Sequence, residues 1–108
     1  MGREIKKITE EKAIYIPTEE IEVYNASEIR EELSEMIDNG VKEIIIDLRN
    51  VEYVDSSGLG VLVSTMKRLK KINGKMILLS PKNAIKQVLE LTSLDKVFTI
   101  EYDESNIK

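Results

Sequence analysis

Asp55, Ser56, Ser57, Gly58, Leu59 and Gly60 run together as DSSGLG, two hydroxyls beside a carboxylate and followed by two glycines. Four chemistries are open to such a stretch: a serine nucleophile, a phosphate cradle, a helix cap, or a serine that is covalently modified. A nucleophile needs a base, and the 108-residue chain has no histidine and no cysteine. Their absence also removes disulfides, thiolate chemistry and Cys or His metal sites. Only a lysine or carboxylate could activate the hydroxyl, yet neither Ser-x-x-Lys at this site nor Gly-x-Ser-x-Gly is present. The expectation is no enzyme, no catalytic residue and no metal. A dinucleotide cradle fares little better, because Gly58 and Gly60 supply two glycines of G-x-G-x-x-G but Val63 stands where the third belongs. With no Gly-Lys-Ser or Gly-Lys-Thr either, no cofactor is expected.

Capping and modification remain. In the first, Ser56 or Ser57 accepts a hydrogen bond from the opening turn of a helix, and Gly58 and Gly60 let the backbone turn or let something pack close. In the second, a hydroxyl at a helix amino terminus faces unpaired backbone N–H groups and the positive end of the dipole, where a phosphate is tolerated. Its charge of about −1.5 to −2 would switch an interface by repulsion while leaving the fold intact. Asp55 could orient the hydroxyl, add negative potential, or cap.

The surrounding elements must place this stretch. Glu4 to Ile8 and Lys12 to Ile16 read as two short strands, closed by Pro17. Asn25 is a candidate helix cap, with Glu28 as capping-box partner and Tyr24 with Ile29 at the staple positions. Ala26, Ile29, Leu33, Met36 and Ile37 then recur at helical spacing until Asn39-Gly40. Glu43 to Leu48, EIIIDL, has the composition of a strand covered on both faces and is the candidate sheet centre. DSSG thus follows a buried strand and opens a helix whose stripe is Leu59, Leu62, Val63, Met66 and Leu69, ended by Asn73-Gly74. Lys75 to Ser80 is another buried strand. Ser80-Pro81 predicts a capped third helix carrying Ile85, Val88 and Leu89, and Val97 to Tyr102 a last strand. Strands alternating with helices, behind an amino-terminal pair, predict an α/β fold: a single domain spanning residues 1–108, with a mixed sheet of about five strands and three to four helices.

Composition sets bounds on partners. The chain is 42% hydrophobic with 5% aromatics, so Ile, Leu, Val and Met must build the core, and 16 basic against 20 acidic residues give a net charge of −4. That balance argues against direct nucleic-acid binding. Lys67, Arg68, Lys70 and Lys71 form the local exception, which helical spacing assigns to a solvated face. The opening MGREIKKITEEK is charged where a signal peptide is apolar, and no stretch approaches a membrane span, so a cytoplasmic protein without membrane insertion is expected.

DLRNVEYVDSSGLGVLV resembles the signature of the STAS domain family, the anti-sigma factor antagonists and their relatives. IEVYNASEIREEL and GKMILLSPKNAIKQVLELTSLDKVF extend the resemblance over about residues 5 to 102. It implies a protein that acts by binding. The first serine of the pair is the phosphoacceptor in that family, which places the modification on Ser56; Asp55, Ser57, Gly58, Leu59, Gly60, Glu22 and Asn25 are the implied partner-contact residues. The implied partners are an anti-sigma factor that is itself a serine kinase and a serine phosphatase that resets the switch. The oligomeric state is not implied. Glu19, Glu20, Ile21 and Glu22 replace the family's usual Gly-Glu-Leu-Asp type turn, a departure that bears on partner identity and not on the fold. The family's final helix is expected to be short or missing. The alternative is a STAS-like module that binds a nucleotide or serves as scaffold in a larger signalling or transporter-associated assembly, suggested by two glycines at an anion-friendly helix start.

Overall fold

The computed structural model describes residues 2–107. Five strands, β1 (Arg3–Lys7), β2 (Lys12–Pro17), β3 (Glu43–Asp47), β4 (Lys75–Leu79) and β5 (Thr99–Glu101), form one sheet in the order β1-β2-β3-β4-β5. The first pair is an antiparallel hairpin and every other pairing is parallel, so the sheet is mixed as expected. Helices α1 (Ala26–Asp38), α2 (Ser56–Lys71) and α3 (Asn83–Leu91) supply the crossovers between the parallel strands.

Register explains the core. Ala13, Ile44 and Met76 lie in one row across β2, β3 and β4, and Tyr15, Ile46 and Leu78 in the next row on the same face. The buried residues of all three helices join these rows in a single cluster, so the helices cover one side of the sheet. Ile14, Ile45 and Ile77 form the intervening row, which must point the other way because side chains alternate along a strand. There Ile45, Ile77, Leu79 and the half-buried Ile14 make a second, smaller cluster. Three consecutive isoleucines in β3 therefore serve both faces, the reason EIIID carries no polar alternation. Each such side chain contributes about 1.5–3 kcal/mol by leaving water.

Turn chemistry follows the sequence at two places. Gly40 (φ 102°) and Asn73 (φ 58°) take the left-handed conformation that ends α1 and α2. Gly74 has a further reason: a Cβ there would lie 2.3 Å from the Lys42 carbonyl oxygen. Elsewhere the expectations are corrected. Ser80 does not cap α3; it sits at φ 50° and its hydroxyl donates to the Tyr102 carbonyl at 3.1 Å, while the helix starts at Asn83 behind Lys82. The stripe of α2 is rotated, with Val61, Leu62, Thr65, Met66 and Leu69 buried and Leu59 and Val63 only partly so. The last strand is three residues long and is preceded by a 3-10 turn, Leu94–Lys96. Among the described residues a second 3-10 turn, Glu104–Ile107, follows it. Lys67, Arg68, Lys70 and Lys71 are exposed, with Arg68 reaching across to Asp38 at 3.0 Å. Among the described residues no helix is long and apolar enough to cross a membrane.

Candidate functional site

Two loops meet where α2 begins. The β3–α2 connection is anchored by Val51 and Val54, both buried, and the β2–α1 connection by Ile21, of which only 1% is exposed. Ile21 and Val54 form an isolated parallel bridge beyond the strand ends. The Ile21 amide donates to the Tyr53 carbonyl at 3.3 Å, and the Asp55 amide donates to the Ile21 carbonyl at 3.1 Å. The carboxyl ends of β2 and β3 are thus zipped together one residue before the serines.

Asp55 is the cap of α2. Its Oδ1 accepts from the Gly58 amide at 3.0 Å, and its Oδ2 accepts from the Val23 amide of the other loop at 3.1 Å. One carboxylate therefore caps the helix and fastens the facing loop, which neither serine does. Ser56 is the first helical residue, exposed, and among the described residues its hydroxyl has no hydrogen-bond partner; Ser57 is half-buried and likewise unbonded at its hydroxyl. The expectation that Ser56 or Ser57 caps the helix is overturned: Asp55 holds the position just before the helix, from which a side chain reaches the third helical amide, whereas both serines already lie inside the first turn.

The two glycines separate cleanly. A Cβ on Gly58 would stand 2.3 Å from the Ile21 carbonyl oxygen and 2.5 Å from Val54 Cγ1, so the bare backbone there is what lets the two loops close over the helix. Gly58 is buried and serves this packing. Gly60 is exposed, with nothing within 4 Å of its would-be Cβ. Leu59, between them, is partly buried against the core.

Asn25 does not cap α1 as its position suggests. Its Oδ1 turns back to accept from the Glu22 amide at 2.9 Å, and its Nδ2 donates to the Glu20 carbonyl at 2.7 Å and to Glu19 at 2.9 Å. The capping box with Glu28 is absent, since Glu28 pairs with Arg3 instead. The staple is absent too: Ile29 is buried, but Tyr24 is 91% exposed. Asn25 thereby braces the loop that presents Glu22 and Val23.

That brace continues into β1. Arg3 lies among Glu19 (2.9 Å), Glu32 (3.1 Å to each oxygen) and Glu28, and Glu32 also accepts from the buried Tyr15 hydroxyl. Hydrogen bonding from Arg3, then from Tyr15, holds the Glu32 carboxyl below the usual range against the opposing effect of burial. Glu19 is held low by Asn25 first and by the charge of Arg3. The Tyr15 hydroxyl is driven up, by burial first and then by its bond to Glu32.

The surface around Ser56 is acidic and apolar together. Tyr53 donates to Glu22 at 3.0 Å, a bond that raises its phenol pKa, helped by the nearby charges of Glu20 and Asp55. Val23, Tyr24 and Tyr53 are 64%, 91% and 45% exposed. Sequence reasoning missed these three. The available signal was weak: a hydrophobic Val-Tyr pair just before a helix reads locally as a staple.

The sequence profile of the family described as "STAS domain" matches residues 4–107. A Thermotoga neapolitana protein, provisionally named an anti-sigma factor antagonist and homologue of TM1081, is 34% identical over 98 residues, 90% of this chain and 86% of that protein. The anti-sigma-B factor antagonist of Staphylococcus aureus (strain NCTC 8325 / PS 47) is 36% identical over 75 residues, 69% of each chain. The crystal structure of TM1081 from Thermotoga maritima, given the same provisional name, superposes with a TM-score of 0.91 at 29% identity, covering 97% of this chain and 90% of that one.

Proposed function

The chain belongs to the STAS domain family, and we propose that it acts within that family as an anti-sigma factor antagonist switched by phosphorylation of Ser56. Unphosphorylated, it binds an anti-sigma factor that is a serine kinase, and the sigma factor is released. The kinase transfers the γ-phosphoryl group of ATP to Ser56 Oγ, whose proton leaves to a base on the kinase. The phosphorylated form no longer holds its partner until a serine phosphatase removes the group. The protein itself is not an enzyme in this scheme, acts in the cytoplasm, binds no nucleic acid directly and does not insert into a membrane.

One observation carries the reading: Asp55 does the capping, which leaves the Ser56 hydroxyl exposed and uncommitted at the start of α2. A group added to that oxygen displaces no internal hydrogen bond. It arrives next to Asp55 and beside the loop carrying Glu20 and Glu22, which Asp55 fastens at Val23, so about −1.5 to −2 more charge is added to an acidic neighbourhood facing any partner seated there. The proposed contact surface is Ser56, Ser57, Leu59, Gly60 and Glu22 with the exposed Val23, Tyr24 and Tyr53, while Asp55, Gly58 and Asn25 hold that surface in shape. Such a face suits a partner offering cations or N–H donors around an apolar centre.

The test uses candidate anti-sigma kinases purified with ATP, and mass spectrometry of the product. Phosphate should appear on Ser56 and vanish in Ser56→Ala but persist in Ser57→Ala. Ser56→Asp should lose the complex and keep its unfolding midpoint. Equal partner affinity of wild type and Ser56→Asp sinks the switch. The nucleotide-binding alternative needs phosphate at the Gly58 amide, which Asp55 already occupies; millimolar ATP or GTP that moves the Gly58 and Gly60 amide resonances would restore it.

A further inference from the structure

The sheet face away from the helices is not uniformly covered. Ile45, Ile77 and Leu79 are at most 2% exposed, yet Ile14 and Ile16 on the adjoining strand β2 are only half-buried. Between them lies a hollow of about 540 Å³ whose apolar lining is Ile8, Ile14, Ile16 and Leu79. That volume lies within the range of small-molecule sites, and apolar walls with a few polar groups are their usual make-up. Ile16 and Leu79 stand near the carboxyl ends of parallel strands, the end at which α/β sheets expose ligand sites.

The charges at this hollow decide what fits. Asp47, 3% exposed, accepts from Arg49 at 3.0 Å and 2.7 Å, and the same guanidinium pairs with Glu104 at 2.6 Å. Arg49 is therefore matched by two carboxylates. Lys6 is different: it lies opposite Ile14 in the β1–β2 register, borders the hollow, and its ammonium group has no hydrogen-bond or ion-pair partner among the described residues. The unmatched charge is a cation at the edge of an apolar trough.

We propose that this face is a second binding site, separate from Ser56, for a small amphipathic anion: a free alkyl carboxylate whose chain lies on Ile8, Ile14, Ile16 and Leu79 and whose carboxylate meets Lys6. A nucleotide is a poor occupant, because its phosphates need several donors and the hollow offers one uncommitted cation. The proposal does not depend on the antagonist reading, since none of its residues belongs to the Ser56 surface.

The experiment is a methyl-detected NMR titration of the whole chain with hexanoate, octanoate and decanoate below their micellar concentrations. Saturable shifts should centre on the methyls of Ile8, Ile14, Ile16 and Leu79, with Kd falling about fourfold per added methylene as each is buried. Lys6→Glu, on an exposed position of an edge strand, should weaken octanoate by about fivefold or more and leave 1-octanol within about twofold. The idea is overturned by unmoved methyls at millimolar octanoate, or by equal loss for octanoate and octanol in Lys6→Glu. It is also overturned if the same methyls shift with protein concentration alone, which assigns the face to a second copy. Sedimentation with phosphatidylglycerol vesicles that octanoate does not compete away assigns it to a lipid surface instead.

Discussion

Alanine at position 58 tests the loop closure that frames Ser56. Its Cβ would sit 2.3 Å from the Ile21 carbonyl oxygen, 2.5 Å from Val54 Cγ1 and 2.9 Å from Ile21 Cγ2. An ordinary carbon–oxygen contact is about 3.3 Å, so the backbone at Ile21 must retreat by roughly 1 Å. That carbonyl also accepts from the Asp55 amide at 3.1 Å, a bond the retreat breaks. Overpacking costs about 1–3 kcal/mol and the lost bond about 1 more, against a gain of up to about 1 kcal/mol from alanine in a helix. The net is a destabilisation of about 1–3 kcal/mol, at about 4–8 °C of melting temperature per kcal/mol for a domain near this size. Gly60→Ala is the control, because its Cβ meets nothing within 4 Å. It should stabilise by about 0.5–1 kcal/mol. Urea unfolding of the three proteins, with m-values compared, reads both effects. A Gly58→Ala protein whose midpoint equals or exceeds wild type would refute the claim that Ile21 rests directly on the α2 backbone.

Asp55→Ala removes an acceptor from the Gly58 and Val23 amides together; a loss of about 2 kcal/mol is expected by chemical denaturation, and the Val23 amide should exchange faster in hydrogen-exchange measurements. Gly60→Ala, though more stable alone, should bind the anti-sigma partner less tightly by calorimetry if partner backbone docks on that bare turn. Acid titration separates the Arg3 cluster: Glu19 and Glu32 have folded pKa values depressed below 4.5, so their stabilisation is present above that value and lost as the pH falls through the folded pKa. The stability gap between wild type and Arg3→Met should therefore be widest near neutral pH and narrow below pH 4.5, as followed by urea midpoints across the range.

Where the sequence was legible, one element decided its own structure. EIIID announces a doubly covered strand by composition, and Asn39-Gly40 and Asn73-Gly74 announce helix ends because few residues accept positive φ. Where it was not, a side chain chose a distant partner over the local one. Asn25 has the spacing of a cap, but three bonds to the loop behind it outweigh one to the helix ahead. Glu28 has the spacing of a capping-box partner, but Arg3 lies 25 residues away in sequence and beside it in space. Ser80 reads as a cap and instead ties to Tyr102, which follows α3 in the chain. At the candidate site the position of Ser56 was legible from a strand followed by DSSG. The 32-residue link from Asp55 to Val23, which fastens the facing loop beside that serine, leaves no trace in local spacing.

The bond from the Gly58 amide to the other oxygen of Asp55 predicts how a phosphate on Ser56 interacts with the fold. The first-turn amides of a helix lack carbonyl partners four residues back, and Asp55 satisfies one of them, at Gly58. In the wild type a phosphate therefore arrives beside a filled acceptor of its own sign, and its attraction to the helix terminus is offset by repulsion from Asp55; stability should stay within about 0.5 kcal/mol. In Asp55→Ala the Gly58 amide is vacant and the repelling carboxylate is gone. Phosphorylation of that variant at Ser56 should then restore part of the lost stability, about 1 kcal/mol for a charged acceptor at a helix start. Four denaturation curves, wild type and Asp55→Ala with and without phosphate, give the coupling directly. A phosphate effect of the same size in both backgrounds would mean that Asp55 and the Ser56 phosphate do not compete for the opening turn, and the account of why this switch leaves its scaffold folded would have to be abandoned.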